Sequence, residues 1–309
     1  MTQQRIFSFD SQILNTFSSC ARKYQYTFID NLRTPDKAEA LEKGDLIHKG
    51  LEVYYSLQLD KPNFETEVWK ELRGTGIFSN VQLVQNEKLK FNHQNLQTLS
   101  VQVMQYFATK MDLPTDEVNE VIHHFREYTN YFQHDSWHPL AVEEVGSKAL
   151  FEDEELKLIY NFKIDMVAEK GNIIAPWDHK TSKRRQDPSS LSNQFIGYCY
   201  GLGLNNIIIN KIGFQKTLSP KERFNRFILT IDNERISEWV ENTIYWATQA
   251  IRAIDSDYFP LNLTSCDKYS GCIYSRLCES DPESRLYKIE RDFKVDRPWD
   301  VAGVLEEKP

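Results

Sequence analysis

The chain has 309 residues, 40% hydrophobic and 27% charged, enough for a sizeable core and ordinary for a globular protein. Its formal net charge of −8 at pH 7 argues against a broadly basic, nonspecific nucleic-acid binder. No apolar run is long enough to cross a bilayer, and Met1 to Phe7 lacks the apolar stretch of a secretory signal, so a cytoplasmic protein with no membrane partner is expected.

Residues 10–30 read as a helix, with Ile13, Phe17, Ala21, Tyr24 and Phe28 at three-to-four spacing, Asp10 or Ser8 as cap, and Cys20 on the inward face. Thr34-Pro35-Asp36 breaks it. A second helix spans Gly44 to Leu57, with Ile47, Leu51 and Tyr54 inward, His48 at the border of that stripe and Glu52 one turn later. Residues 64–133 read as mostly helical, with Trp69, Leu72, Val101, Met104, Phe107, Val121, Phe125 and Tyr128 as core.

From Leu140 the period changes to two. Val142–Leu150 and Leu156–Val167 read as strands joined by an acidic turn, and Ile173–Lys180 follows a Glu169-Lys170-Gly171-Asn172 turn. Pro176 removes a ladder donor and marks an edge or a bulge. A helix over 190–204, strands Asn206–Leu218 and Arg226–Ile231, and a long amphipathic helix Glu234–Asp255 complete the order, with a loose tail after Glu290. The pattern predicts an α/β protein: a central mixed sheet flanked by helices. Its parts are N-terminal helices (1–58), a helical insertion (59–138), the sheet-bearing core (139–260) and a cysteine array with tail (261–309), integrated into one domain.

Asp178 ends an apolar run, Ile173 to Trp177, so its carboxylate needs a partner or a metal. Lys180 lies two residues on, on the same strand face, and Asp165 ends the neighbouring strand. A plain ion pair satisfies Asp178 alone. Two acids and one base leave net negative charge, which a divalent cation completes, and oxygen donors suit Mg²⁺ or Mn²⁺. Such a constellation holds a metal and a water nucleophile against a phosphodiester. In this reading Asp165, Asp178 and the carbonyl of His179 bind the metal and Lys180 assists the water. Taken alone, His48 is more simply a structural histidine, and Gln194 with Tyr198 a pair on one helix face. Glu143 or Glu144 can reach the lysine or the metal's surroundings. The basic run at Lys183 and Arg184 follows the candidate strand and is placed to touch a substrate backbone.

Five cysteines are present, three in a C-x5-C-x5-C array at Cys266, Cys272 and Cys278. Three clustered thiols and one distant thiol suggest a four-cysteine metal site, iron–sulfur or zinc. Cys20 beside Arg22-Lys23 is the preferred fourth ligand over Cys199, which lies among apolar residues.

Taken in order, Cys20, Gly44-x3-His48, Ile164-Asp165, Asp178-His179-Lys180-Thr181, Gln194-x3-Tyr198 and the three late cysteines resemble the PD-(D/E)XK nuclease superfamily. The resemblance is to its RecB/AddB-like branch with an iron–sulfur cluster, alongside CRISPR-adaptation nucleases and phage exonucleases. It implies a restriction-endonuclease-like core with a C-terminal iron–sulfur clasp. It implies that His48, Asp165 and Asp178 bind Mg²⁺ or Mn²⁺, that Lys180 is catalytic, and that Gln194 and Tyr198 contact DNA. It further implies a [4Fe-4S] cluster on Cys20, Cys266, Cys272 and Cys278. The expected activity is a DNA exonuclease acting on ends or single strands, in repair, recombination or phage replication, in the host cytoplasm if phage-encoded. The alternative is a catalytically idle DNA-binding or recombination-partner protein with the same fold. Homo-oligomerisation and a recombination or replication protein partner stay open.

Overall fold

Residues 4–34, 39–61, 64–73, 75–77, 91–182, 187–215, 217–267 and 271–299 are described by a computed structural model. A strand, β1 (Arg5–Phe9), precedes the first helix, α1 (Ser11–Ser19), which Asp10 caps by accepting from Ile13 N at 2.7 Å. The helix expected through residue 30 is interrupted. Cys20 takes an extended conformation (φ −164°), and the chain restarts as α2 (Ala21–Tyr24) and a π-helical turn, Gln25–Ile29. Cys20 is thereby turned out of the helical stripe to which its spacing assigned it.

A short strand β2 (Leu32–Arg33) leads to α3 (Glu39–Ser56), α4 (Glu67–Leu72), α5 (His93–Lys110) and α6 (Thr115–Tyr131). The sheet strands are β3 (His138–Glu152), β4 (Leu156–Lys170), β5 (Ile173–Ser182), β6 (Asn206–Gly213) and β7 (Phe224–Thr230). Helix α7 (Asn193–Leu202) links β5 to β6, and the short α8 (Pro220–Arg223) links β6 to β7. Helix α9 (Asn233–Asp255) follows, then α10 (Ser275–Cys278), α11 (Pro282–Asp292) and β8 (Lys294–Val295). Of the end expected to be loose, the described part up to Trp299 is tied down: β8 pairs antiparallel with β2, and Trp299 Nε1 donates to Asp10 Oδ2 at 2.7 Å; residues 300–309 lie outside the described residues. Among the described residues no helix is long and apolar enough to cross a membrane.

The sheet is mixed. One edge of β4 carries β3 along its length, antiparallel. The other edge is shared: β1 runs parallel to Leu156–Tyr160, and β5 runs antiparallel to Met166–Lys170. From Trp177 onward β5 turns to pair with β6, in parallel, and β7 closes that side. Pro176 sits one residue before β5 gains this second partner, where a missing donor is tolerated.

Each face of the sheet is covered. On one, α3, α4, α5 and α6 pack Leu51, Trp69, Met104 and Phe125 against Met166, Ala168, Ala175 and Trp177. On the other, α1, α7 and α9 pack Leu14, Phe195, Tyr198 and Trp239 against Tyr160, Phe162 and Ile164. The helices of 64–133 therefore join α3 in covering one face of the sheet. Two glycines permit close approaches: a Cβ on Gly44 would stand 2.9 Å from Thr181 Oγ1, and one on Gly197 only 2.0 Å from the Tyr160 hydroxyl.

Candidate active site

The site is a consequence of the fork in the sheet. The last paired rung of the β4–β5 ladder is Met166 opposite Trp177. Continuing that register by one residue sets Asp165 against Asp178, at the point where β5 leaves β4 for β6. Directly opposed cross-strand residues share a face and lie within side-chain contact, and like charges there destabilise the pair. At the fork His179 N–H has no strand partner, and Asp165 Oδ2 accepts from it at 2.6 Å. The Asp165 side chain thus does the work of the missing rung.

Strand alternation also breaks here. Ile164 faces the α7–α9 core, whereas Met166, of the same parity, faces the α3–α6 core. Glu143, across from Asp165 on β3, has a left-handed backbone (φ 53°), uncommon for a side-chain-bearing residue inside a strand. The face switch lets groups from both layers reach one point. His48 comes from α3, its Nδ1 3.5 Å from Asp165 Oδ1. Gln194 and Tyr198 come from α7 on the opposite side: Lys180 Nζ donates to Gln194 Oε1 at 3.1 Å, and Gln194 Nε2 donates to the Tyr198 hydroxyl at 2.8 Å.

Lys180 Nζ donates to Asp178 Oδ1 at 2.9 Å and lies 2.8 Å from Oδ2, at an angle that leaves Oδ2 buried without a hydrogen bond. Asp178 is 1% exposed while the Lys180 side chain is 45% exposed, so the site opens to solvent on the lysine side. Burial pushes Asp178 up to about 6, helped by the Asp165 charge and opposed by Lys180. Burial acts on Asp165 in the same sense, but the His48 imidazolium and the His179 N–H outweigh it and hold this carboxyl well below the usual range. His48 is the mirror case: burial lowers it, Asp165 overrides, and the ring rises to about 9. In this state the imidazolium supplies the positive charge that two opposed carboxylates demand.

A second carboxylate pair lies beside the first. Glu52 is pushed up to about 8 by burial and by Glu143, and accepts a hydrogen bond from Thr66. Glu143 is itself raised by burial, and pairs with Lys163 Nζ at 2.6 Å. Glu144 is exposed, so of the two neighbouring acids Glu143 is the one at the site. The ring of His179 points away into the core, where burial pulls it down to about 3 and Asn210 Nδ2 lies 2.8 Å from its Nδ1. Asn210 Nδ2 also donates to the Tyr128 hydroxyl at 2.8 Å, which lies 2.7 Å from the Tyr55 hydroxyl. Lys163, Asn210 and Tyr55 escaped the sequence reading, and Tyr128 was read as core without its hydroxyl's role. A buried polar residue within an isoleucine-rich strand, as Asn210 is in Ile207-Ile208-Ile209-Asn210, was the signal available for one of them.

Two opposed carboxylates, a buried oxygen without a hydrogen bond, an imidazole and the His179 carbonyl form a donor set that suits a hard divalent cation. Among the described residues no three His, Cys, Asp or Glu side chains already stand together as a finished metal cage. Lys183 and Arg184 lie outside the described residues.

Of the cysteines expected in a cluster, Cys20, Cys266 and Cys272 are linked by hydrogen bonds through Asn262 and the Cys266 carbonyl, and among the described residues they form no finished metal-binding group. Cys20 Sγ accepts from Asn262 N at 3.5 Å, Cys266 Sγ donates to Asn262 O at 3.8 Å, and Cys272 N donates to Cys266 O at 2.7 Å. Burial raises the Cys266 and Cys278 thiols, and the other cysteines raise them further, since each feels the charges of its neighbours. Cys199 stands apart, fully buried and pushed up to about 12 by that burial.

The family model described as the PD-(D/E)XK nuclease superfamily matches residues 11–279. The chain belongs to that superfamily, whose members are phosphodiester hydrolases that act on DNA and typically use Mg²⁺ or Mn²⁺. No curated protein matches the sequence. A solved structure titled "Crystal structure of SSO0001" is similar at 13% identity, over 71% of this chain and 98% of that one, with a TM-score of 0.33; a likeness of that size carries no weight for fold or function.

Proposed function

We propose that this protein is a metal-dependent DNA exonuclease of the RecB/AddB-like branch, acting on ends or single strands. The observation that carries the reading is the placement of Asp165 opposite Asp178 at the fork, with the Lys180 ammonium on the Asp178 carboxylate. Asp165, Asp178, His48 and the His179 carbonyl would hold Mg²⁺ or Mn²⁺, which acidifies water and polarises the scissile phosphate when bound. Lys180, oriented by Gln194 and through it by Tyr198, offsets negative charge developing on the phosphate oxygens. Asp165 also accepts from the His179 N–H and so holds the Asp178–His179 peptide beside the site. Lys183 and Arg184 are assigned to the DNA backbone and Gln194 to DNA near the cut; Tyr198, expected from the resemblance to touch DNA, is buried in the core and acts through Gln194.

Cys20, Cys266, Cys272 and Cys278 are assigned to a [4Fe-4S] cluster. Thiols drawn from both ends of the chain suit a soft metal centre and nothing the hard-cation site requires. Incubating the protein with end-labelled DNA and Mn²⁺ tests the activity. Chelator-sensitive loss of the label that Asp178→Ala abolishes is expected, and intact DNA with the wild-type protein overturns the reading. Visible absorption and iron analysis on anaerobically purified protein test the cluster; one zinc and no colour would replace it.

A further inference from the structure

Two adjoining cavities lie between α1 and α9, outside the constellation described above. The larger, about 420 Å³, is floored by Tyr245, Trp246, Arg252 and Tyr258; the smaller, about 210 Å³, is bounded by Asn193, Trp239 and Asn242. They share Ser18 and Trp246 and so form one furrow, which follows α1 for about 10 Å at the usual helical rise. Its inner end is Asn193, hydrogen-bonded to Asn15 of α1 and adjacent in sequence to Gln194, the residue that holds Lys180. One end of the furrow therefore lies on α7, the helix that also carries Gln194.

Its lining is unusual for this protein. Of 309 residues 45 are Asp or Glu, yet neither cavity has an acidic residue in its wall, and the one charged side chain there is Arg252. Three of its aromatic rings stand in solvent: Tyr245 at 56% exposure, Trp246 at 37% and Tyr258 at 66%. Exposed aromatics grouped in one groove mark a recognition surface. Deeper in, Trp239 is 5% exposed and its buried indole N–H has no hydrogen-bond acceptor. A ligand rich in acceptors would satisfy it.

We infer that this furrow binds single-stranded DNA and leads it to the carboxylate–lysine site, with bases stacked on Trp246 and Tyr245 and backbone phosphate on Arg252. Acid-free walls beside an otherwise acidic surface fit a polyanion, and aromatic faces fit bases that no complementary strand conceals. A duplex offers no free base faces along its length, so the furrow selects an unpaired strand. The inference rests on the proposed nuclease reading and names the form in which its substrate arrives.

Binding of fluorescein-labelled oligothymidylate, followed by anisotropy in EDTA so that no cleavage intervenes, tests it. Trp246→Ala is expected to weaken binding about tenfold, the usual effect of removing one stacking platform, and Trp246→Phe to restore most of it. Arg252→Glu, an exposed change that spares the core, should weaken binding and flatten its salt dependence. Binding of labelled duplex should move little in all three. Wild-type affinity for oligothymidylate in both Trp246→Ala and Arg252→Glu overturns the furrow, and if the wild-type protein still cuts end-labelled DNA the nuclease reading survives that failure. Trp246-dependent binding in a protein that cuts nothing has the opposite meaning: the furrow stands and the nuclease reading falls. Self-association lost with Trp246→Ala, in a protein with no affinity for the oligonucleotide, assigns the surface to a second copy and overturns the inference.

Discussion

The carboxylate–lysine site and the four-thiol corner are built in opposite ways. The first is set by backbone register: Asp165 and Asp178 face each other because β4 and β5 pair up to Met166 and Trp177 and then part. Its surroundings are buried on both sides, and its charges are matched internally by His48 and Lys180. The second is assembled from the extended Cys20 joint, a short 3-10 turn before Cys266 and the four-residue helix that ends at Cys278. Among the described residues Tyr26, Leu32, Tyr274 and Leu277 form a small buried apolar cluster there. A site set by sheet register holds its shape with unfavourable charges inside it, whereas one set by loops takes its rigidity from what the loops hold.

The sharpest test of that contrast separates activity from stability. Asp178→Ala should lower DNA cleavage by about a thousandfold, the effect of losing one group that stabilises the transition state. It should not lower the melting temperature, and Asp178→Asn should raise it, because both relieve the repulsion between opposed carboxylates. A marked drop in melting temperature for Asp178→Asn would mean that the carboxylate pair is structural. Cys266→Ser is expected to behave in the reverse sense. With the proposed cluster lost, folding stability should fall by about 3 kcal/mol or more, read as a lower denaturant midpoint together with lost visible absorption. Unchanged stability in Cys266→Ser would show that hydrogen bonds such as Arg22 Nε to Phe259 O and Tyr274 OH to Leu32 O close the chain ends unaided.

The same contrast governs how much was legible from sequence. Alternation along Leu156–Ile164 and the apolar run before Asp178 were enough to put both acids on neighbouring strands with Lys180 two residues on, but β4 does not end at Asp165; it runs on to Lys170. Periodicity did not show that β4 switches faces at Asp165. That switch lies across from the left-handed Glu143, and no residue pattern announces a left-handed glutamate. Cys20 was assigned an inward helical position because Phe17 and Tyr24 flank it at the right spacing; the extended break that frees its thiol comes from tertiary hydrogen bonds to Asn262 and Ser265. The tail after Glu290 looked loose because β8 is two residues long, and its order derives from β2, far away in sequence. Helical periodicity in 64–133 was readable, but that those helices join α3 in covering one face of the sheet was not, because it depends on which strand face Met166 and Trp177 take.

Acid exposes a further difference, this time inside the α3–α6 layer. His124 on α6 is fully buried, its Nδ1 accepts from Arg223 at 2.9 Å, and its Nε2 has no partner. Burial, then the Arg223 guanidinium, pulls it down to about 4 from an ordinary 6.5. Its folded-state value lies below its unfolded one, so the neutral ring stabilises the fold above pH 6.5. That contribution disappears as pH falls from about 6.5 to about 4, where the unfolded chain takes up the proton first. The loss is at most about 3 kcal/mol, and denaturant melts at pH 7 and pH 4.5 should differ by less in His124→Phe than in the wild type. Equal pH sensitivity in both proteins would place the acid-labile group elsewhere.

The smallest expected effect tests whether the helical layer tunes the fork. The Tyr128 hydroxyl accepts from Asn210 Nδ2, lies 2.7 Å from the Tyr55 hydroxyl and accepts from Arg226 at 3.4 Å. Asn210 in turn meets the ring of His179, whose peptide N–H is held by Asp165. Tyr128→Phe keeps the ring and removes the shared acceptor, which should cost about 1–2 kcal/mol of stability. If the chain of contacts positions His179, cleavage should also fall a few-fold in kcat with little change in KM. Tyr128→Phe and Asn210→Ala should then combine non-additively, coupled by about 0.5 kcal/mol or more in a double-mutant cycle on kcat. Additive effects on kcat would reduce the tyrosine to a packing residue and leave the fork in the sheet as the sole determinant of where His179 and its neighbouring carboxylates lie.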